Sequence, residues 1–387
     1  MPFPGPKIVR PTAANGFGGV LAVGRLRDLV AAAAGADEPA TAWRRYRAAP
    51  GAEAADEGER RLYPFVGSRL DAAALADPAY APIRTQRRAA HVRHELLFNA
   101  AEELADLFGT AGIRPIFLKG LAVQIRAYGD RVIRASSDID IFVAPDELGR
   151  CLALIEQAKW VRKEERPRTG DPGLIAAMRV KMTWRMPRGV LVDIHWVPRE
   201  PLEFDAALTA DFVASAVARD YRGRTWLIPS DPWLLFEAIE HGVTWNEVTP
   251  IRWLIDALAI LRIADTPMDW DRLCALIERN RLTRIFAIGL GALADYGDDV
   301  PESVIARLSR QDISLMERLY TRTRLTLPGP LITICTSLSH VLLRHPARPW
   351  RRAAAFPAYY RMRTLRCMTW SEVAGRALGR FRTEQDA

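Results

Sequence analysis

Cysteine is scarce in this chain. Its 387 residues include 4, at Cys151, Cys274, Cys335 and Cys367. They lie far apart, with no CxxC and no zinc-type spacing. That excludes a disulfide scaffold and a zinc ribbon, and it predicts free thiols in a reducing compartment. Long apolar runs are also missing. A membrane-spanning helix needs about 18 or more uninterrupted apolar residues. The nearest candidate, Leu325 to Leu343, is broken by Pro328, Pro330 and His340 and by hydroxyl residues, so no transmembrane segment is expected. Met1 to Lys7 is proline-rich and has no apolar stretch of the signal-peptide kind. No internal repeat at a fixed period is visible. These absences predict a cytoplasmic protein.

What is present fits a globular chain. Hydrophobic residues make up 49% and charged residues 26%, and the length suffices for two domains. A net charge of +8 permits an anionic partner. The charge is unevenly placed. From Arg344 onward there are ten arginines, no lysine and three acids (Glu372, Glu384, Asp386), so this segment alone carries +7 of the +8. Trp350, Tyr359, Tyr360 and Trp370 are interleaved with the arginines. The segment is either a solvated basic tail or a weak contact for an anionic surface such as nucleic acid or membrane.

The hydrophobic pattern predicts four regions: an N-terminal helical and irregular region (1–83), a mixed strand-and-helix core (84–229), a helical lobe (230–343) and the basic tail (344–387). Residues to about 17 read as irregular. From Gly18 to Ala79 short helices are expected, with Gly51 to Glu59 a loop or a solvated turn. Arg84 to Gly112 predicts a long amphipathic helix with Leu96, Leu97, Ala100, Leu104 and Leu107 on its apolar face; His91 and His94 on it suit surface or packing roles. Ile113 to Lys119 predicts a strand ended by Gly120, then a short helix to Tyr128 and a turn at Gly129 to Arg131. A helix opens near Pro145 and runs to Ala158. A short strand follows at Trp160 and Val161. Val180 to Met186 and Val190 to Trp196 predict a hairpin around Pro187, Arg188 and Gly189. Asp211 to Arg219 reads as helix and Thr225 to Ile228 as strand. Helical periodicity dominates after Asp231. The tryptophans at 184, 196, 233, 245 and 253 suit a core. The fold class expected is α+β: a small mixed sheet with flanking helices and a mostly α-helical C-terminal lobe.

The chemistry centres on Ser137-Asp138-Ile139-Asp140-Ile141-Phe142-Val143. Read with period 2, this strand puts Asp138 and Asp140 on one face and Ile139, Ile141 and Val143 on the other. Paired acids on a half-buried strand repel each other, and a divalent cation with a preference for hard oxygen ligands removes the conflict. A second strand, Val190-Leu-Val-Asp193-Ile-His195-Trp196, adds a third carboxylate, which a two-metal site needs. Lys119-Gly120 at a strand end lets backbone approach a phosphate and supplies positive charge. Arg134 could meet a phosphate as a fork. His195 is an accessory candidate that could orient a ligand, accept a proton or cap the site. His241 is expected to pack between helical lobe and sheet. Asp256 reads as a buried hydrogen-bonding group.

The ordered set Leu118-Lys119-Gly120, Arg134, Ser137 to Ile141 and Val192-Asp193-Ile194-His195-Trp196 resembles the uncharacterised nucleotidyltransferase family, within the DNA polymerase beta-like nucleotidyltransferase superfamily. Pro229-Ser-Asp-Pro, Leu234-Leu235, His241-Gly242, Trp245 and Trp253-Leu254-Ile255-Asp256 extend the resemblance, which covers roughly residues 85 to 265. Lys119-Gly120 stands where the superfamily usually has Gly-Ser. The resemblance implies catalytic and metal-holding roles for Asp138, Asp140 and Asp193 with Mg²⁺ (or Mn²⁺). It implies nucleotide contacts from Lys119, Gly120, Arg134 and Ser137. The implied reaction moves a nucleoside monophosphate from a nucleoside triphosphate, ATP among the candidates, to an acceptor, releasing pyrophosphate. The acceptor is open: a small molecule, a peptide or protein side chain, or an RNA end. Family members often accompany biosynthetic gene clusters, which suits a tailoring enzyme. The alternatives are a toxin-like enzyme that modifies tRNA and a non-catalytic binding protein on a degenerate transferase fold. The presence of all three carboxylates argues against the last.

Overall fold

The computed structural model describes residues 22, 24–163, 181–198, 206–244, 248–263 and 265–325, with scattered positions after 325. The N-terminal segment expected to be irregular, Trp245 and most of the arginine-rich tail lie outside these residues. The chain divides into two compact units. One comprises Glu95–Leu121, Ser137–Pro229 and Ile334–Ala387; the other comprises Met1–His94, Ala122–Ser136 and Ser230–Thr333.

The first unit is α+β. Its five-stranded sheet has the order β1-β2-β5-β4-β3, from Ile116–Phe117 (β1), Asp138–Phe142 (β2), Val161–Arg162 (β3), Lys181–Arg185 (β4) and Leu191–His195 (β5). β2 and β5 pair in parallel and the other neighbours are antiparallel, so the sheet is mixed, as expected. A parallel pair needs a crossover, and the helix Leu148–Gln157 lies within it. Alternation fixes the faces: Ile139, Ile141, Val192 and Ile194 are fully buried. The β4–β5 hairpin forms where the sequence predicts it. Gly189, at φ +88°, takes the left-handed turn position, and its N–H donates to the Met186 carbonyl at 2.8 Å.

Three expectations in this unit need correction. The first strand is only Ile116–Phe117, because Pro115 has no N–H to pair and Lys119, at φ +46°, turns the chain out of the sheet. The expected helix Asp211 to Arg219 is instead a helix at Ala206–Ala214 followed by a second, two-stranded sheet, Val217–Tyr221 (β6) with Arg224–Ile228 (β7). Arg222 and Gly223, both at positive φ, form its two-residue turn. The long helix runs Ala81–Thr110; of its expected apolar face Leu97, Ala100 and Leu104 are buried and Leu107 is half-buried, but Leu96 is exposed. Phe98, Ala101 and Phe108 join the buried side. Phe98 meets Trp226 edge-on, with ring centroids 5.9 Å apart, and Phe108 stacks on Trp160.

The second unit is helical. Short helices open it, among them Arg25–Ala34, Pro39–Ala48 and Glu57–Arg60. Asp231–Gly242, Arg252–Leu261, Trp270–Arg279, Thr283–Ala294 and Glu302–Arg310 follow close to expectation, with a further helix at Leu315–Leu325. Glu59 is not part of a solvated turn. It is buried, and it accepts hydrogen bonds from Arg25 at 2.6 Å and from the Tyr46 hydroxyl at 2.8 Å. Trp233 and Trp253 lie in this core, Trp184 and Trp196 in that of the other unit. His241, expected to pack, is exposed. Among the described residues no helix is long and apolar enough to cross a membrane, and Cys151, Cys274 and Cys335 are free thiols.

Candidate active site

Strand register assembles the site. The parallel β2–β5 pairing sets Asp140 opposite Asp193 and Phe142 opposite His195. The antiparallel β4–β5 pairing adds Thr183 opposite Asp193 and Lys181 opposite His195. With the isoleucines and Val192 committed to one face, the polar members share the other. Asp140 and Asp193 are both buried, and a buried carboxylate needs charged or hydrogen-bonding partners.

Each has them. Lys119 Nζ lies 2.6 Å from Asp140 Oδ1. The His195 imidazole meets the same oxygen through Nε2 at 3.0 Å; an ionised carboxylate only accepts, so Nε2–H is the donor. Thr183 donates to Asp193 Oδ1 at 2.6 Å, and Lys181 Nζ forms an ion pair with Asp193 Oδ2. Burial works against the Asp140 charge, but the His195 hydrogen bond and the charge of Lys119 outweigh it and hold this carboxyl below the usual range. Burial pushes the His195 imidazole down; the hydrogen bond to Asp140 opposes this, and the charges of Lys119 and Lys181 add to it.

Of the residues singled out from the sequence, Asp140, Asp193, His195 and Lys119 are brought together. Gly120 follows Lys119 within the helix Lys119–Val123. Asp138 stands at the start of β2, half-buried, where it accepts from the Ser137 hydroxyl at 3.1 Å. Arg134 belongs to the other unit. It is buried in the helical unit, where Nε and Nη2 hold the two Asp256 oxygens at 3.0 and 2.9 Å and Nη1 bonds Ser136. Its fork thus grips a carboxylate of its own unit. Asp256 is the buried hydrogen-bonding group expected, and it also accepts from the Tyr128 hydroxyl at 2.9 Å.

Sequence reasoning missed Lys181 and Thr183. Two signals could have found Lys181. The chain has only five lysines beside 49 arginines. And once the 187–189 turn sets the hairpin register, residue 181 falls opposite His195.

The model of the uncharacterised nucleotidyltransferase family matches residues 58–297, more than half of the chain and the whole of this cluster. The chain belongs to that family. No curated protein matches it by sequence. Two solved structures are similar to parts of it. One is the antibiotic-resistance factor ANT(2'')-Ia, at 15% identity, covering 46% of this chain and 93% of that one, with a TM-score of 0.30. The other is an antigenic nucleotidyltransferase-like protein from Paracoccidioides brasiliensis, at 14% identity, covering 48% and 90%, also with a TM-score of 0.30.

The donor set of this family member fits a divalent cation. One ligand atom each from Asp140, Asp193 and His195 lie within 4.8 Å of one another. Carboxylate oxygens and an imidazole nitrogen are ligands such ions take. Asp138 lies outside that group.

Proposed function

We propose that the chain is a metal-dependent nucleotidyltransferase that moves a nucleoside monophosphate from a nucleoside triphosphate to the oxygen of an acceptor. The observation that carries this reading is the in-register pairing of two buried aspartates, Asp140 and Asp193, inside the family match. Asp140 and Asp193, with Asp138 at the strand entrance, would hold Mg²⁺ or Mn²⁺. Such an ion neutralises phosphate charge and makes an acceptor hydroxyl more acidic.

The protein's own residues do the rest. Lys119 and the backbone at Gly120 bind phosphate oxygens, and Ser137 adds a hydroxyl beside Asp138. Asp193 receives the acceptor proton. The acceptor oxygen then bonds to the α-phosphorus as the α–β bridging bond breaks, and pyrophosphate leaves. Little covalent chemistry falls to the protein, so catalysis rests on positioning and charge. His195 keeps the Asp140 carboxylate in one orientation. Arg134 acts through Asp256, fixing the chain that leads into β2.

The test is transfer of label from α-labelled triphosphates to a lysate of the source cells, with Mg²⁺ or Mn²⁺, which reports nucleotide and acceptor together. Asp140→Asn and Asp193→Asn should each lower transfer by about 10²- to 10³-fold or more while leaving the circular dichroism spectrum unchanged. Undiminished transfer by either folded variant would overturn the assignment.

A further inference from the structure

The two buried carboxylates of the metal-holding set, Asp140 and Asp193, are already occupied by ammonium groups of this chain. Lys119 sits on Asp140 Oδ1 and Lys181 on Asp193 Oδ2, so two negative and two positive charges cancel. A divalent cation entering the cluster meets no net negative charge from these four groups, and it competes for the same oxygens. The partners differ in freedom. The aspartate side chains are only 6% and 8% exposed, on strands paired in register. The lysine side chains are 27% and 38% exposed, and each can swing toward solvent on a flexible stem. Residue choice points the same way. In a chain that uses arginine for 49 of 54 basic positions, both these positions carry lysine, a compact point charge that releases a carboxylate more readily than a two-pronged guanidinium. Lys119 also holds the left-handed φ of +46°, the kind of backbone strain that concentrates at switch and ligand sites.

We infer that Lys119 and Lys181 are exchangeable counter-ions, resting on the aspartates in the free protein and passing to the triphosphate when metal takes their place, so that metal and nucleotide bind cooperatively. This rests on the transferase reading above and adds Lys181 to the residues that contact the triphosphate. The coupling is reciprocal: nucleotide tightens metal binding by the factor by which metal tightens nucleotide binding.

Mn²⁺ binding to the full chain, measured by calorimetry with and without α,β-methylene triphosphates, tests it. In the wild-type protein the analogue should raise Mn²⁺ affinity by roughly 5- to 150-fold, the range of typical coupling energies. Lys181→Met removes a competitor, so it should bind Mn²⁺ alone more tightly than wild type and show a smaller enhancement by the analogue. Lys181→Arg keeps the competing charge and should bind Mn²⁺ alone no more tightly than wild type. Weakened or unchanged Mn²⁺ binding by a folded Lys181→Met protein would overturn the inference and leave the transferase reading standing. A wild-type protein that takes neither Mn²⁺ nor any triphosphate analogue would sink both.

Discussion

A carboxylate on a protein surface is answered by water, but one that is even half-buried is answered by particular atoms, and those atoms set its pH behaviour. Asp56 shows this away from the active site. It caps the helix Glu57–Arg60 by accepting from the Glu59 N–H at 2.8 Å, and it ties down Thr249 through the backbone N–H at 2.8 Å and the hydroxyl at 2.6 Å. Burial alone would raise its pKa, but these hydrogen bonds outweigh burial and hold it below the ordinary 3.8. A carboxyl with a depressed folded pKa contributes stability above its unfolded value and loses it as pH falls through the folded one. Asp56→Ala should therefore cost about 0.5–2 kcal/mol, the range for a lost N-cap, in urea unfolding at pH 7, and the gap should close below pH 3.8. A gap that stays constant down to acid unfolding would show that the charge is not what matters. Residues of this kind were hard to read from sequence. Asp138, Asp140 and Asp193 stand out because alternation with Ile and Val puts them on a shared face. Asp56 and Glu59 sit in a short acidic stretch whose partners, Thr249, Arg25 and Tyr46, are remote in sequence.

At the scale of elements, legibility followed local rules. The helices after Asp231 and the hairpin around Gly189 were readable because periodicity and turn residues specify them locally. The β6–β7 hairpin was not, because its turn is Arg222-Gly223 rather than the Asn-Gly or Asp-Gly that announces such a turn, and helical periodicity ran on into β6. Helix packing leaves its own mark on sequence. Gly242 ends the helix Asp231–Gly242 against the neighbouring helix Arg252–Leu261. A Cβ placed there would lie 2.1 Å from Trp253 Cγ and 2.2 Å from its Cβ, far inside contact distance. Only a residue without a side chain lets the Trp253 ring lie across that helix end, which accounts for the pair physically. Gly242→Ala should thus destabilise the helical unit by about 1–3 kcal/mol, the usual cost of overpacking, seen as a lower denaturant midpoint. Combining it with Trp253→Leu should recover part of the loss, since the clash is with the indole. A Gly242→Ala protein as stable as wild type would refute the contact.

For the whole molecule, the consequential feature is how the segments interleave. Residues 122–136 link Lys119 to the strand bearing Asp138 and Asp140, yet they belong to the helical unit. Their anchors are specific. Arg126 meets Asp231 through two hydrogen bonds of 2.7 Å, and Tyr128 and Arg134 both meet Asp256. Burial and the neighbouring Arg134 charge push the Arg252 guanidinium down to about 9 against the pull of Asp256, so this buried cluster depends on its one carboxylate. A boundary near residue 229, natural from composition, would cut the chain between Arg134 and Asp256. Breaking a buried pair by removing one partner costs about 3–5 kcal/mol, a large share of a domain's total stability of about 5–15 kcal/mol. A fragment 84–229 keeps every carboxylate and lysine of the candidate site but loses Asp231 and Asp256. We expect it to melt without a cooperative transition, whereas a fragment 22–325, which retains all these anchors, should melt cooperatively. Calorimetry and near-ultraviolet circular dichroism of the two fragments decide the matter. A sharp transition and native aromatic signals in 84–229 would mean that the sheet unit folds without the Asp256 cluster.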